Sequence, residues 1–166
     1  MYEKGNATCL SILTDMKYFL GSDEILKKIK KHSKLPILRK DFIISEYQIY
    51  ETRAIGADCI LLIHSILEID VLKRFVKISL SLGLDVLIEV HNQKELSNVL
   101  DIKDVMLGIN NRNLNNMTVN INHSLSLLNI IPNGYNVICE SGINSIEKIE
   151  SLKKKGFLSF LIGEFL

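Results

Sequence analysis

Four side chains invite a chemical reading because each interrupts or ends an apolar run, where an ionisable or amide group is costly unless it faces something polar. Lys40 follows "LPILR", Glu89 sits inside "LIEVH", Asn110 opens the polar part of "GINNRNL" and Glu140 begins "ESGI". An ammonium held in a partly desolvated mouth loses part of its preference for the charged form and becomes a usable proton donor. A carboxylate between Ile88 and Val90 suits proton transfer if it points into a polar cavity. Plainer readings stand beside these: a loop lysine with Arg39 or Lys40 paired to Asp41, a solvent-facing Glu89 on an edge strand, an Asn-rich turn, and a His91 that is simply hydrogen-bonded.

Other residues add the means to hold a substrate. Amides at Asn110 orient an oxygen, and the Arg112 fork suits a carboxylate or phosphate. Ser141-Gly142 and Gly163-Glu164 put glycine-bearing turns after the last two strand-like runs, where barrels of alternating strands and helices commonly bind phosphate through backbone N–H groups. Together they describe a site for a phosphorylated small molecule served by an acid–base pair.

Elements must place these groups. Short runs, "ATCLSIL", "LPIL", "DCILLI", "DVLIEV", "VMLGI", "NVICE" and "FLSFLIG", are apolar almost throughout, which predicts strands buried on both faces in a parallel sheet. Helical segments lie between them: one capped by Ser22-Asp23-Glu24, one from Leu67 to Leu82 ending at Gly83, one capped by Asn92, and one opened by Asn144-Ser145 and ended at Gly156. Strand followed by helix leaves two architectures, a doubly wound sheet or a closed βα barrel. Lys40, His64, Glu89, Asn110, Glu140 and Gly163 stand at or just past successive strand ends, 24, 25, 21, 30 and 23 residues apart. One polar residue per strand end favours the barrel, whose site is ringed by such ends. No G-x-G-x-x-G follows the first strand.

Composition narrows the class. The 166 residues are 47% hydrophobic and 23% charged with net charge +1, which suits one globular domain over 1–166 and implies no polyanion partner. Lys27, Lys28, Lys30 and Lys31 read as the wet face of an amphipathic helix rather than a nucleic-acid patch. Cys9, Cys59 and Cys139 read as small buried hydrophobes, without metal-ligand spacing, in a reducing cytoplasm. No run is long enough to span a membrane.

The stretches "LSILTDMKYFLGS", "LPILRKDFIISEYQIYETRAIGAD", "LGLDVLIEVH", "LGINNRNL", "ESGI" and "LIGE" resemble, in order and spacing, the indole-3-glycerol phosphate synthase family. The resemblance implies a (β/α)8 TIM-barrel fold and closure of the indole ring of 1-(2-carboxyphenylamino)-1-deoxyribulose 5-phosphate, with loss of carbon dioxide and water and no cofactor or metal. It implies that Lys40 is the general acid, that Glu89 serves later proton transfers and dehydration, and that Asn110 and Glu140, with Arg112 beside them, hold the substrate and its intermediate. Ser141, Gly142, Gly163 and Glu164 then match the phosphate turns, and Phe19 and Leu61 match apolar residues near the substrate ring. The family's first strand carries a Glu-x-Lys pair and a Ser-Pro-Ser-type loop, which do not precede Met1-Tyr2-Glu3-Lys4. The expectation is an incomplete barrel of strands two to eight, lacking the first strand and last helix, and Phe165 stands where members often have a small residue. This leaves an active synthase, with a separate chain or sequence upstream of Met1 supplying the first strand, beside an inactive or decayed fragment acting at most as a phosphate-binding or partner-dependent module. Phosphoribosylanthranilate isomerase and the tryptophan synthase α subunit share the phosphate site but not the "ILRKDF" lysine.

Overall fold

Strand and helix alternate as the sequence predicts. The computed structural model describes residues 2–113, 116–163 and 165. Packing divides the chain into two compact units, Met1–Leu87 and Ile88–Leu166.

The first unit holds β1 (Leu10–Leu13), α1 (Met16–Phe19), α2 (Asp23–His32), β2 (Ile37–Lys40), α3 (Glu46–Ala54), β3 (Cys59–Ile63) and α4 (Ile69–Ser81). β1 pairs parallel with β2, bringing Leu13 level with Lys40, and β2 pairs parallel with β3. The second unit takes over within β4 (Asp85–Val90) and continues through α5 (Gln93–Val99), β5 (Met106–Asn110), α6 (Ile121–Leu128), β6 (Asn136–Glu140), α7 (Ile146–Lys154) and β7 (Ser159–Leu161). β5, β6 and β7 are parallel, and Asn110 is level with Glu140. Strand order is chain order, β1 to β7, with every strand followed by its helix up to the last.

Local chemistry explains the boundaries. The Ser22 hydroxyl accepts the Ile25 N–H at the start of α2, Asn92 accepts from Glu95 N–H at α5, and Ser145 accepts from Lys148 N–H at α7, each satisfying a donor the helix leaves orphaned. All five residues of β3 are buried, as two-sided covering requires. Leu26, Ile37, Ile55 and Ala57 form a core cluster in the first unit, with Leu10, Ile12 and Ile29 packed on it. In the second unit Leu107, Ile109, Cys139, Leu152 and Phe157 are buried. Full burial of such a side chain contributes about 1.5–3 kcal/mol.

One sequence expectation needs correcting. β1 starts at Leu10, so the residues 7–9 of "ATCLSIL" lie outside it, and Cys9 is exposed where a buried thiol was expected. β2 ends at Lys40, the strand end the sequence predicts, and it runs through charged Arg39 because Arg39 finds buried partners behind the strand. Among the described residues no helix is long and apolar enough to cross a membrane.

Candidate active site

β2 places two basic residues on opposite faces, since successive strand side chains alternate. Arg39, only 3% exposed, turns back among α2 and α3. Its Nη2 lies 3.1 Å from Asp23, 3.2 Å from Asp41 and 3.0 Å from Glu51. Its Nε donates to Thr14 Oγ1 and its Nη1 to Thr52 Oγ1, both at 3.1 Å. Lys40, half-buried at the strand end, therefore projects to the other face, and its carbonyl accepts from Thr14 N–H.

Asp41 belongs to the arginine. Its Oδ2 accepts from the Thr14 hydroxyl at 2.7 Å as well as from Arg39, and its Oδ1 accepts from Phe42 N–H at 2.7 Å. The turn beyond is tied down by Gln48, whose Oε1 accepts from Ile44 and Ser45 N–H and whose Nε2 donates to the Phe42 carbonyl. Lys40 thus sits between two braced segments.

An aromatic cluster flanks the same turn. Phe42 stacks on Phe19 with centroids 5.8 Å apart and meets Tyr18 edge-on at 5.6 Å, while Phe19 remains 43% exposed. Gly21 permits the approach of this segment to β1, for a Cβ there would lie 2.1 Å from the Leu13 carbonyl oxygen. Leu61, on β3, is fully buried, and His64 begins a single helical turn after that strand.

The second unit gathers the acids and amides. Glu89 and Glu140, each 1% exposed, stand at the ends of β4 and β6. Asn110 Nδ2 donates to Glu89 Oε1 at 2.9 Å, and Asn110 Oδ1 accepts from Arg112 N–H at 2.9 Å, which fixes the amide's orientation. A solvent-facing Glu89 is excluded by its burial. Asn111 pins the end of β6: its Nδ2 donates to the Glu140 and Ser141 carbonyls, and its Oδ1 accepts from Ser124 N–H.

The turn that Asn111 holds has unusual backbone. Ser141 and Gly142 both have positive φ, 62° and 77°. A Cβ at Gly142 would come 2.5 Å from Val119 Cγ1, so any larger residue must displace that side chain as well as hold a positive φ. Gly163 is exposed two residues beyond β7, and Glu164 lies outside the described residues. Burial pushes the thiols of Cys59 and Cys139 upward, against weaker opposing hydrogen bonds, so neither supplies a thiolate at neutral pH.

His91 carries more than its sequence setting suggested. Its Nε2 lies 3.0 Å from Glu89 Oε1 and its Nδ1 3.6 Å from Glu95 Oε2, while its backbone N–H donates to Glu95 at 2.7 Å. Burial, the largest single influence, works to lower its pKa. Glu89 and Glu95 together outweigh burial and raise it to about 9, so the ring is charged at neutral pH. The structure also assigns partners to Arg39 and Asn111 that their position in polar runs concealed. The first unit thus offers a lysine on a braced segment beside aromatic rings, and the second a buried carboxylate–amide pair and, directly after Glu140, a turn that favours glycine.

Comparison with known proteins attaches a family to this arrangement. The family model for indole-3-glycerol phosphate synthase matches residues 1–166. Indole-3-glycerol phosphate synthase of Polynucleobacter necessarius is 47% identical over 163 residues, 98% of this chain and 61% of that protein. The same-named protein of Ruminiclostridium cellulolyticum is 43% identical over 165 residues, 99% of this chain and 64% of that protein. The chain therefore spans less than two thirds of the length of these relatives. Among solved structures, 3-hexulose-6-phosphate synthase of Salmonella typhimurium superposes with a TM-score of 0.74 at 12% identity, over 94% of this chain and 77% of that one. A tryptophan synthase α2β2 structure from Pyrococcus furiosus gives 0.66 at 19% identity, over 87% and 61%. These likenesses bear on the fold alone, and with seven parallel strands in chain order they identify an incomplete (β/α) barrel fold.

Proposed function

The chain belongs to the indole-3-glycerol phosphate synthase family, and on that premise we propose that it closes the indole ring of 1-(2-carboxyphenylamino)-1-deoxyribulose 5-phosphate. Lys40 protonates the ribulose carbonyl oxygen as the aromatic carbon attacks the carbonyl carbon. Carbon dioxide then leaves the ring and restores its aromaticity, and the new hydroxyl takes a second proton and departs as water while the neighbouring nitrogen-bearing carbon gives up a proton to form the double bond. Glu89 takes part in the proton transfers of that dehydration. Asn110, Glu140 and Arg112 hold the substrate's polar groups, and Phe19 and Leu61 lie near its aromatic ring. Ser141-Gly142 and Gly163-Glu164 bind the phosphate, mainly through backbone N–H groups.

Glu89 is the observation that carries this reading. A carboxylate 1% exposed, oriented by an amide that is itself fixed by Arg112 N–H, is what a proton-transfer group needs and what a merely structural strand residue does not. The position of Lys40 supports its role as donor, because hydrogen bonds of Asp41 and Gln48 hold the adjoining turn and so keep the ammonium within reach of one oxygen. A family match along residues 1–166 favours a synthase over an inactive phosphate-binding module.

The test is to mix the purified chain with the substrate and follow indole fluorescence, with Lys40→Ala and Glu89→Gln alongside. The expected result is product above both variants, each lowered by at least about 100-fold, the scale of a lost acid–base group. A cooperatively folded chain that forms no more product than Lys40→Ala would overturn the proposal.

A further inference from the structure

His91 is the side chain that the proposed chemistry does not use and that the structure nonetheless builds around. It follows β4 by one residue and lies between two carboxylates from different elements, Glu89 on β4 and Glu95 on α5. Glu95 is held from three sides: its Oε2 accepts the His91 N–H at 2.7 Å, its Oε1 accepts from Asn92 Nδ2 at 2.6 Å, and its N–H donates to Asn92 Oδ1 at 2.9 Å. That capping arrangement fixes where Glu95 can stand, and so fixes one side of the imidazole. On the other side, Glu89 Oε1 accepts from Asn110 Nδ2 and lies 3.0 Å from the imidazole Nε2.

We propose that His91 is a positioning residue for Glu89, an imidazolium braced by Glu95 that fixes the Glu89 carboxylate in its ionised form and in the orientation set by Asn110. This rests on the reading of Glu89 given under Proposed function and extends it.

Three observations support it. The side chains of His91, Glu95 and Glu89 are 13%, 13% and 2% exposed, so the charges interact with little screening by water. The ring nitrogens meet the carboxylates at ion-pair distance without aligned hydrogen bonds, so their contribution is charge at a fixed place. The charged groups that act most on His91 are Glu89 and Glu95, one from each flanking element, and both favour the protonated ring against the effect of burial. A metal site is not the alternative, since among the described residues no group of three or more His, Cys, Asp or Glu is arranged to hold an ion. His91 keeps its own proton throughout, and Glu89 alone takes and returns the proton of the reaction.

The experiment titrates the two partners directly by carbon-detected NMR on the intact chain, following His91 ring carbons and the Glu89 carboxyl carbon. In the unaltered protein His91 is expected to titrate near 9, and Glu95→Gln is expected to shift it down toward the ordinary 6.5. His91→Gln should raise the pH at which Glu89 protonates by about one to three units, the effect of removing an adjacent opposite charge. In turnover the same variant should move the acid limb of kcat upward by a similar amount while KM changes less than about threefold. A His91 that titrates near 6.5 in the unaltered protein would overturn the proposal, and so would a Glu89 titration that His91→Gln leaves in place. The His91 measurement needs no variant to fold, and both titrations need no turnover. If they shift as expected while no indole forms, the synthase reading has failed and the positioning of Glu89 has not.

Discussion

Replacing Arg39 with alanine isolates what braces the lysine next to it. The guanidinium is 4% exposed on its side chain and faces Asp23, Asp41 and Glu51, whose side chains are 29%, 9% and 26% exposed. Removal leaves three carboxylates without their cation, but water reaches Asp23 and Glu51 and recovers part of the loss. Asp41 is the one stranded in the interior, retaining only the Thr14 hydroxyl and Phe42 N–H. Breaking a buried pair by deleting one partner costs about 3–5 kcal/mol, and with one truly buried acid the lower end, about 3 kcal/mol, applies. At roughly 2–4 °C per kcal/mol for a chain of this size, Tm should fall by about 6–12 °C. Thermal and urea unfolding by circular dichroism reads this, with tyrosine as the fluorescence probe because the chain has no tryptophan. The double variant Arg39→Ala/Asp41→Asn removes the stranded charge and should recover at least about 1 kcal/mol relative to additivity. A single-variant Tm within about 2 °C of the original, or a double variant no better than the sum of its parts, would mean that Arg39 does not hold Asp41 in the interior.

Further outcomes follow from neighbouring contacts. Gln48→Ala frees Ile44 N–H, Ser45 N–H and the Phe42 carbonyl at once, and should lower stability by about 1–2 kcal/mol while raising hydrogen exchange at Ile44 and Ser45. Gly142→Ala should lose more stability than Gly83→Ala, though both have positive φ, because a Cβ meets Val119 at the first and open space at the second. The shared strain is about 1–2 kcal/mol, so equal losses in the two melts would contradict the crowding at Gly142. Asp23 has its pKa raised by burial foremost, then by Glu51 and Asp41, with Arg39 opposing. A raised acid is penalised when ionised in the fold, a penalty present above its folded pKa and lost as pH falls through it. Asp23→Asn should therefore leave Tm at pH 7 unchanged or higher, and the difference should shrink on acidification.

Much of this was legible in the residues. Seven apolar runs marked the strands, since parallel strands covered on both faces cannot hide their composition, and Ser22, Asn92 and Ser145 announced helix starts through their capping side chains. Glu89, Asn110 and Glu140 were visible as polar residues where apolar ones belong, and the structure finds all three buried at strand ends. What was hidden depends on direction and on partners distant in sequence. Arg39 and Lys40 read as equivalent neighbours, and only strand alternation with Glu51 and Thr52 of α3 in place separates a brace from a candidate acid. α3 itself is too polar for a strong apolar stripe, and it is Gln48 folding back on the preceding turn that defines its start. His91 looked ordinary because Glu95, four residues on, becomes its neighbour only when α5 is wound. Cys9 looked buried because its run was apolar, but the strand begins one residue later.

The most direct measurement follows the atom that ring closure must expel. The chain is incubated with substrate labelled with carbon-13 in the aromatic carboxylate, and labelled carbon dioxide and indole product are counted together. One carbon dioxide is expected for each indole ring formed, with both lost together in Lys40→Ala. Absence of both from a chain that unfolds cooperatively, or equal release from Lys40→Ala, would contradict it.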